Sequence, residues 1–348
     1  HPANPDWAAA FILVPWYVFV HSGDETVLRD HEPGMHRLMH HFAEQADDWI
    51  LAGGYGDWFD PGGDAFVSST RPTVTTTMWF LRCARVMAKV SERLGRLSLA
   101  SQYAAWAGRI RNALIDRFFD PETGSFGSQA ADAMALRLGA SPVGQEQRIA
   151  DALVRDIRQR GGHLNVGIMG VRFIFEALSR FGHGDLAFAL VHQTTYPSFG
   201  NLIERGATTL WEWWGEPEFA RSCGPRSMSH PMFAGFDNWF FNTLGGIEPT
   251  EDLPGFERFT VRPLLPTDLA QVSVWHESPQ GRIEAEYQRD GESIRWRLIV
   301  PPTSTAQLTW PGARPVDLAR ANIEASIGPP DSFFLPAISR HPLALSDN

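Results

Sequence analysis

The spacing of hydrophobic residues divides this chain into two parts. From residue 7 to about residue 246, apolar residues recur at intervals of three and four, which is typical of helices that bury one face. Beyond residue 246, apolar and polar residues alternate in short segments bounded by Gly, Pro and Asp, which predicts β-strands. We therefore expect two domains, residues 1–246 and 247–348, separated within the Pro- and Gly-containing segment 245–255.

The first part predicts paired helices. Along residues 98–119, for example, Leu99, Tyr103 and Ile110 belong to one apolar stripe that would face a core. The predicted helices cover residues 7–21, 26–50, 73–94, 98–119, 128–139, 144–161, 168–181, 184–195 and 233–245. This arrangement predicts an (α/α)6 toroid of six helix pairs that is incomplete at its N-terminal side, and we expect the missing helices to precede residue 1.

The second part predicts an antiparallel β-sandwich. Its strand-like segments recur roughly every twelve residues, as in sandwich domains. The segments are ERFTVRPL, AQVSVWHES, GRIEAEYQRD, SIRWRLIV and TAQLTW. The pattern fades after about residue 311, so the tail is left unassigned. The expected fold class is therefore mainly α with a β domain.

Charge and composition exclude several kinds of function. The net charge is −10 with only 30 Lys and Arg residues, which argues against a nucleic-acid partner or an anionic membrane surface. No apolar run reaches the length of a membrane span, so we expect a soluble protein. The compartment is left open, with a cytoplasmic location favoured over secretion. The histidines at 36, 40 and 41 are interpreted as a solvated helix face, because no other metal-ligand motif accompanies them. Neither a metal nor a cofactor is expected.

The thirteen tryptophans direct attention to two segments. In GGYGDWFDPGGD, residues 53–64, a Gly-rich loop carries Asp57 and Trp58 between two predicted helices. One interpretation is that the aspartates of this loop cap the next helix and Trp58 closes the end of the barrel. The other is that a carboxylate binds sugar hydroxyls beside an aromatic wall.

The second segment is ERGATTLWEWWGE, residues 204–216, in which three tryptophans surround Glu212. A carboxylate among indoles is either a buried strut or a group whose protonation is tuned for glycosidase chemistry. Farther along, His230 precedes the last predicted helix. It either forms hydrogen bonds at the helix end or contacts a sugar.

A set of motifs in a fixed order carries a resemblance to a known family. The motifs are YGDW, GHLNVGIMG, YPSFG followed by GATTLWEWW, SMSHPMF with NWFF, and GGIEPTEDLPGFERFTVRPLL. Together they resemble the bacterial α-L-rhamnosidases of glycoside hydrolase family 78, from residue 1 to about residue 311. The resemblance implies an (α/α)6 barrel followed by a β-sandwich that releases terminal α-L-rhamnose with inversion.

The resemblance also implies roles for individual residues. Glu212 is similar to the general base that activates water, and His230 to the histidine that binds the sugar. Asp57, Trp58 and Trp7 resemble residues that contact rhamnose. Trp213 departs from the family pattern, which has a polar residue or Arg there more often.

Nothing in this chain resembles the motif that carries the general acid of the family. Its motif, Asp-x-x-x-x-Glu-x-x-x-Trp-x-Gly-Asp, has no match, so we expect the acid to lie outside the chain and the chain alone to be inactive. The partner implied is a rhamnose-containing glycoside, and the oligomeric state is left open. Two alternatives are another (α/α)6 glycosidase and a non-catalytic carbohydrate-binding fragment.

Overall fold

A computed structural model describes residues 5–61, 68–215, 227–291, 293–309 and 314–327. Backbone contacts divide the chain into two compact units. The first comprises His1–Trp16 and Leu28–Asp237, and the second comprises Tyr17–Val27 and Asn238–Asn348. No helix among the described residues combines the length and the apolar character that a membrane span requires.

The helical part of the chain contains ten α-helices of four or more residues among its described residues. They are α1 (Pro5–Ala8), α2 (Ala10–Ser22), α3 (Thr26–Gln45), α4 (Pro72–Arg93), α5 (Leu97–Phe118), α6 (Gln129–Leu138), α7 (Glu146–Gln159), α8 (Val171–Arg180), α9 (Gly184–Val191) and α10 (Phe199–Glu204). A 3-10 helix, Pro231–Phe236, and a short helical turn, Asp237–Trp239, follow, and Phe240–Leu244 is π-helical.

Consecutive helices alternate between two burial patterns. The helices α4, α6 and α8 are buried over most of their length, whereas α5 buries a single stripe that includes Tyr103, Ile110 and Leu114. Helix α7 is likewise amphipathic, burying Ile149, Leu153 and other apolar residues on one face. A wholly buried helix followed by a one-sided helix is the arrangement expected of inner and outer members of helix hairpins.

Three features of the helical part differ from the sequence prediction. Helix α3 ends at Gln45 rather than at residue 50, because Asp48 and Trp49 have φ angles of 46° and 65°, which α-helices do not accept. Helix α10 was not predicted, although the side chain of Ser198 caps it by accepting the N–H of Asn201 at 3.0 Å. The predicted helix 233–245 is a succession of 3-10, α and π turns.

The second unit contains a six-stranded sheet. Its strands are β1 (Ile247–Pro249), β2 (Arg258–Val261), β3 (Gln271–Ser278), β4 (Gly281–Asp290), β5 (Ser293–Leu308) and β6 (Val316–Ile327). The order is β1-β2-β5-β4-β3, with β6 also paired to β5. Phe259, Trp296 and Leu298 are among the buried residues of its core.

The fold class, mainly α followed by a β domain, is confirmed, but the sheet differs in two details. The pair β2–β5 is parallel, whereas the sequence predicted antiparallel strands throughout. The length of β5 allows this additional pairing, because its first half pairs with β4 and its second half continues past β4 to meet β2. The tail left unassigned after residue 311 contains β6, while residues 328–348 lie outside the described residues.

Candidate active site

The Gly-rich loop between α3 and α4 is fixed to the segment before α8 by Asp57. This carboxylate is fully buried and accepts the backbone N–H groups of Gly167 at 2.7 Å, Met169 at 2.9 Å and Gly170 at 2.7 Å. In addition, the carbonyl of Trp58 accepts the N–H of Ile168 at 3.0 Å. The loop and the segment 166–170 therefore form one hydrogen-bonded unit.

Burial dominates the electrostatics of Asp57. Desolvation raises its pKa to about 7, although the hydrogen bond from Gly167 opposes this shift, and the nearby charge of Asp60 raises the pKa further. The side chain points its oxygens at backbone donors and away from solvent. A direct contact of Asp57 with rhamnose stays a prediction, and the described geometry favours a role as a strut.

An aromatic row lies along the same loop. Tyr55 packs edge-on against Trp7, with ring centroids 5.0 Å apart, and against Trp58 at 4.8 Å. Trp58 is half-buried, while Trp7 is 41% exposed and Tyr55 is 47% exposed. The structure thus joins two of the predicted sugar-contact residues, Trp7 and Trp58, through Tyr55, which the sequence did not single out.

Asp6 holds this aromatic row in place and was also missed. Its carboxylate accepts the N–H of Tyr55 at 2.7 Å and the hydroxyl of Thr76 at 3.1 Å, and burial raises its pKa to about 6. At Gly54, φ is +92°, and a Cβ atom would lie 2.5 Å from an Asp6 oxygen. The signal in the sequence is the acid directly before Trp7, but its partners lie too far along the chain to be inferred from it.

Glu212 lies on a segment that pairs with the chain before the 3-10 helix. The N–H of Glu212 donates to the carbonyl of Ser227 at 3.0 Å, and the N–H of Ser227 donates to Oε2 of Glu212 at 3.1 Å. The N–H of His230 donates to the carbonyl of Leu210 at 2.8 Å. These bonds hold one carboxylate oxygen and bring the two segments side by side.

His230 faces the other oxygen of Glu212. Its Nε2 lies 4.0 Å from Oε1, and the side chains of His230 and Glu212 are 26% and 20% exposed. Its Nδ1 is buried and has no hydrogen-bond partner among the residues that the structure describes. No side-chain hydrogen bond from His230 caps the helix Pro231–Phe236, so the helix-end interpretation of this histidine does not hold.

The tryptophans around Glu212 differ in what they contact. Trp211 and Trp213 stack with centroids 5.3 Å apart. Trp214 is buried, donates its indole N–H to the carbonyl of Val166 at 2.7 Å, and packs against Phe233. Trp213, the departure from the family pattern, is buried as well.

The segment 166–170 connects the two parts of the site. It bonds to Asp57 and Trp58 on one side and, through Val166, to Trp214 on the other. Residues more than 150 positions apart in the sequence are therefore tied to one short segment. Among the described residues, one oxygen of the partly exposed Glu212 carboxylate is held by the backbone amide of Ser227, and the other faces His230.

The described residues show no metal centre. Among them, no group of three or more His, Cys, Asp and Glu side chains could hold a metal ion. A ring nitrogen of His36 is hydrogen-bonded to the hydroxyl of Tyr103 at 2.5 Å, and the ring packs edge-on against His40.

Two family models match the chain in succession. Residues 1–244 match the bacterial alpha-L-rhamnosidase six-hairpin glycosidase domain, and residues 246–322 match the bacterial alpha-L-rhamnosidase C-terminal domain. The first match alone covers more than half of the chain.

Known proteins that are similar to the chain are named alpha-L-rhamnosidases. An alpha-L-rhamnosidase of Formosa agariphila is 28% identical over 319 residues, which are 88% of this chain and 33% of that protein. The structure of an alpha-L-rhamnosidase from Dictyoglumus thermophilum matches with a TM-score of 0.81 and 29% identity, over 89% of this chain and 35% of that one. The Streptomyces avermitilis enzyme complexed with L-rhamnose gives a TM-score of 0.79 and 27% identity, over 88% and 30%. The chain thus spans about a third of the length of these relatives.

Proposed function

The chain belongs to the bacterial α-L-rhamnosidases with a six-hairpin glycosidase domain, and we propose that the protein carrying it hydrolyses terminal α-L-rhamnose from rhamnosides. Relatives that cover most of the chain bear this activity in their names, and one was solved with L-rhamnose. The observation that carries the proposal is that the half-buried carboxylate of Glu212 faces His230, whose Nδ1 has no hydrogen-bond partner among the described residues.

In the proposed mechanism Glu212 is the general base. Its Oε1 accepts a proton from the water that attacks the anomeric carbon, while the N–H of Ser227 holds Oε2 and fixes the plane of the carboxylate. His230, 4.0 Å from Oε1, would bind a sugar hydroxyl on the same side. A base that activates water directly implies inversion at the anomeric carbon.

A second carboxyl group must protonate the leaving oxygen, about 6.5–9.5 Å from the first. Asp57 is committed to three backbone amides, and Asp60 accepts both the N–H and the hydroxyl of Ser69. Both side chains are buried. We therefore propose that neither Asp57 nor Asp60 is the general acid and, because the chain spans only about a third of the length of its relatives, that a carboxyl group outside these residues supplies the proton.

The aromatic row provides the hydrophobic contact that a 6-deoxysugar requires. Rhamnose carries a methyl group on C5 and C–H bonds on its ring, both of which favour an indole surface. Trp58 and Trp7 are the proposed contacts, with Tyr55 bracing them and Asp57 holding the loop that carries Trp58.

The test is hydrolysis of a panel of 4-nitrophenyl glycosides by the natural protein at its full length. We expect turnover of the α-L-rhamnoside and at most trace turnover of the α- and β-glucosides and of the α-L-fucoside. Proton NMR in the first minutes should show β-L-rhamnose before mutarotation. Retention of the anomeric configuration, or preference for another sugar, would contradict the proposal.

A further inference from the structure

A second concave region lies among the ends of helices α4, α5, α6 and α7. It is a cleft of about 880 Å³, lined by residues that include Arg71, Arg117, Glu122, Asp156 and Gln159. Its volume is in the range of ligand sites, and most of its lining residues are polar or charged, whereas pockets for flat drug-like molecules are mostly apolar. A polar cleft of this size suits a ligand that itself carries many hydrogen-bonding groups.

One wall of the cleft is linked to the candidate active site by hydrogen bonds. The hydroxyl oxygen of Ser68 accepts the N–H of Asp57 at 3.2 Å and the N–H of Thr70 at 3.0 Å. The hydroxyls of Thr70 and Ser128 are 2.7 Å apart, and both residues line the cleft. The cleft therefore begins within a few residues of the strut that holds Trp58.

The opposite wall is tied to the other loop of the site. Asp156, which lines the cleft, accepts the side-chain N–H of Gln129 at 2.7 Å. The side-chain oxygen of Gln129 accepts the N–H of Asn165 at 2.7 Å, directly before the segment 166–170. Two independent chains of hydrogen bonds thus connect the cleft to the segment on which the site is assembled.

Several acids in the cleft are already engaged by donors in its own wall. Asp120 accepts the N–H of Glu122 at 2.8 Å and the hydroxyl of Thr123 at 2.8 Å. Asp132 accepts the N–H of Phe126 at 2.6 Å and the hydroxyl of Ser125 at 2.8 Å. These aspartates shape the wall.

Two arginines of the cleft are more available to a ligand than these aspartates. Arg71 and Arg117 are exposed, and neither side chain has a hydrogen-bond or ion-pair partner among the described residues. Three arginines and four acids line the cleft, so charges of both signs are present and no strongly anionic or cationic ligand is selected. Closely spaced donors and acceptors of this kind match neighbouring sugar hydroxyls, each of which both donates and accepts.

We propose that this cleft binds the sugar units next to the terminal rhamnose, so that the natural substrate is an oligosaccharide or polysaccharide rather than a rhamnoside of a flat apolar aglycone. This inference rests on the proposed rhamnosidase function and adds the class of substrate. Arg117 is the residue to test, because it is exposed at the end of α5 and its loss removes no described contact of the fold.

The experiment compares two substrates in the natural full-length protein. The variant Arg117→Ala is assayed with an α-linked rhamnose trisaccharide and with 4-nitrophenyl α-L-rhamnoside, which has no second sugar. We expect KM for the trisaccharide to rise by about tenfold, the size of one lost charge-assisted hydrogen bond, with kinetics on the aryl substrate unchanged. The matched control is Arg109→Ala on the same helix, whose guanidinium lies over Trp49 outside the cleft and whose loss should affect neither substrate.

The outcomes separate the cleft from the proposed function. Equal effects on both substrates, or no effect on either, with the natural protein active on the aryl rhamnoside, would overturn the cleft assignment alone. If the natural protein hydrolyses neither substrate, the proposed function fails, and calorimetric titration of the trisaccharide still tests the cleft. Binding that Arg117→Ala weakens supports a sugar site, and binding that is absent or unchanged overturns it.

Discussion

The carboxylates of the candidate site divide into buried struts and one group, Glu212, that we propose to be the general base. Asp6 and Asp57 are buried, and both accept backbone amides that hold loops in place. Glu212 differs from these two aspartates, because it is partly exposed, has a histidine neighbour and, among the described residues, has one oxygen that no backbone amide holds. The sequence predicted both Asp57 and Glu212 as site residues, but it could not distinguish them, because the partners of the two carboxylates are brought near only by the fold.

Asp57→Asn tests the strut. An amide places an N–H₂ group toward backbone donors, so at least one of the three hydrogen bonds is lost and donors are left unpaired at about 1–3 kcal/mol each. We expect a lower melting temperature and, because the site loops shift, a kcat reduced by about 10- to 100-fold with little change in KM. A higher KM at unchanged melting temperature would instead indicate that Asp57 contacts the sugar.

The pH dependence of stability provides a second test of Asp57. Its folded pKa of about 7 lies above that of an unfolded aspartate. At pH values between these two pKa values, the folded state therefore binds more protons than the unfolded state. The contribution of this group to stability is therefore largest below about pH 4 and falls as pH rises toward 7. Urea unfolding of natural and Asp57→Asn proteins should show a stability difference that varies with pH in this window. A constant difference would mean that the pKa is not raised.

At the scale of elements, the site depends on loops that only tertiary contacts position. Periodicity predicted α4, α5, α6 and α7 to within a few residues, because their buried faces repeat regularly. It overran α3 and missed α10, where backbone angles at Asp48 and Trp49 and a cap at Ser198 decide the outcome. It could not predict the parallel β2–β5 pair, because strand alternation carries no information on which strands become neighbours.

Gly54→Ala tests the packing of the loop that carries the aromatic row. The new Cβ would lie 2.3 Å from the Thr76 hydroxyl and 2.5 Å from an Asp6 oxygen, in a backbone conformation with φ of +92°. Gly53→Ala is the matched control, since its φ is +95° and nothing lies within 4 Å of the new atom. Both variants carry backbone strain of about 1 kcal/mol or more, and only Gly54→Ala adds a clash. We expect a clearly larger loss of unfolding free energy for Gly54→Ala, and equal losses would contradict the contact with Asp6.

At the scale of the whole molecule, an apolar stripe along α1 and α2 is open to solvent. Trp7 is 41% exposed, Phe11 is 47% exposed and Val14 is 54% exposed, and the three follow one another at spacings of four and three. A stripe of this kind on a helix is usually covered by another element or molecule.

The stripe predicts how residues 1–348 behave when expressed alone. We expect them to self-associate at micromolar concentration, because burying the apolar face is favourable at about 25 cal/mol per Å². A Phe11→Ser, Val14→Ser double variant should shift the mass measured by analytical ultracentrifugation toward the monomer. Val143→Ser, which alters an 87% exposed residue elsewhere, should leave association unchanged. If residues 1–348 and both variants are all monomeric, the stripe does not drive self-association.

The most direct test of the account is turnover of 4-nitrophenyl α-L-rhamnoside by Glu212→Gln in the natural full-length protein. The amide keeps the shape of the side chain but cannot take the proton of water, so kcat should fall by about 10²–10⁴-fold while rhamnose still binds. Glu204→Gln, at an exposed acid eight residues earlier, should retain natural kcat. Near-natural turnover by Glu212→Gln, or a large loss in Glu204→Gln, would contradict the assignment of Glu212 as the general base.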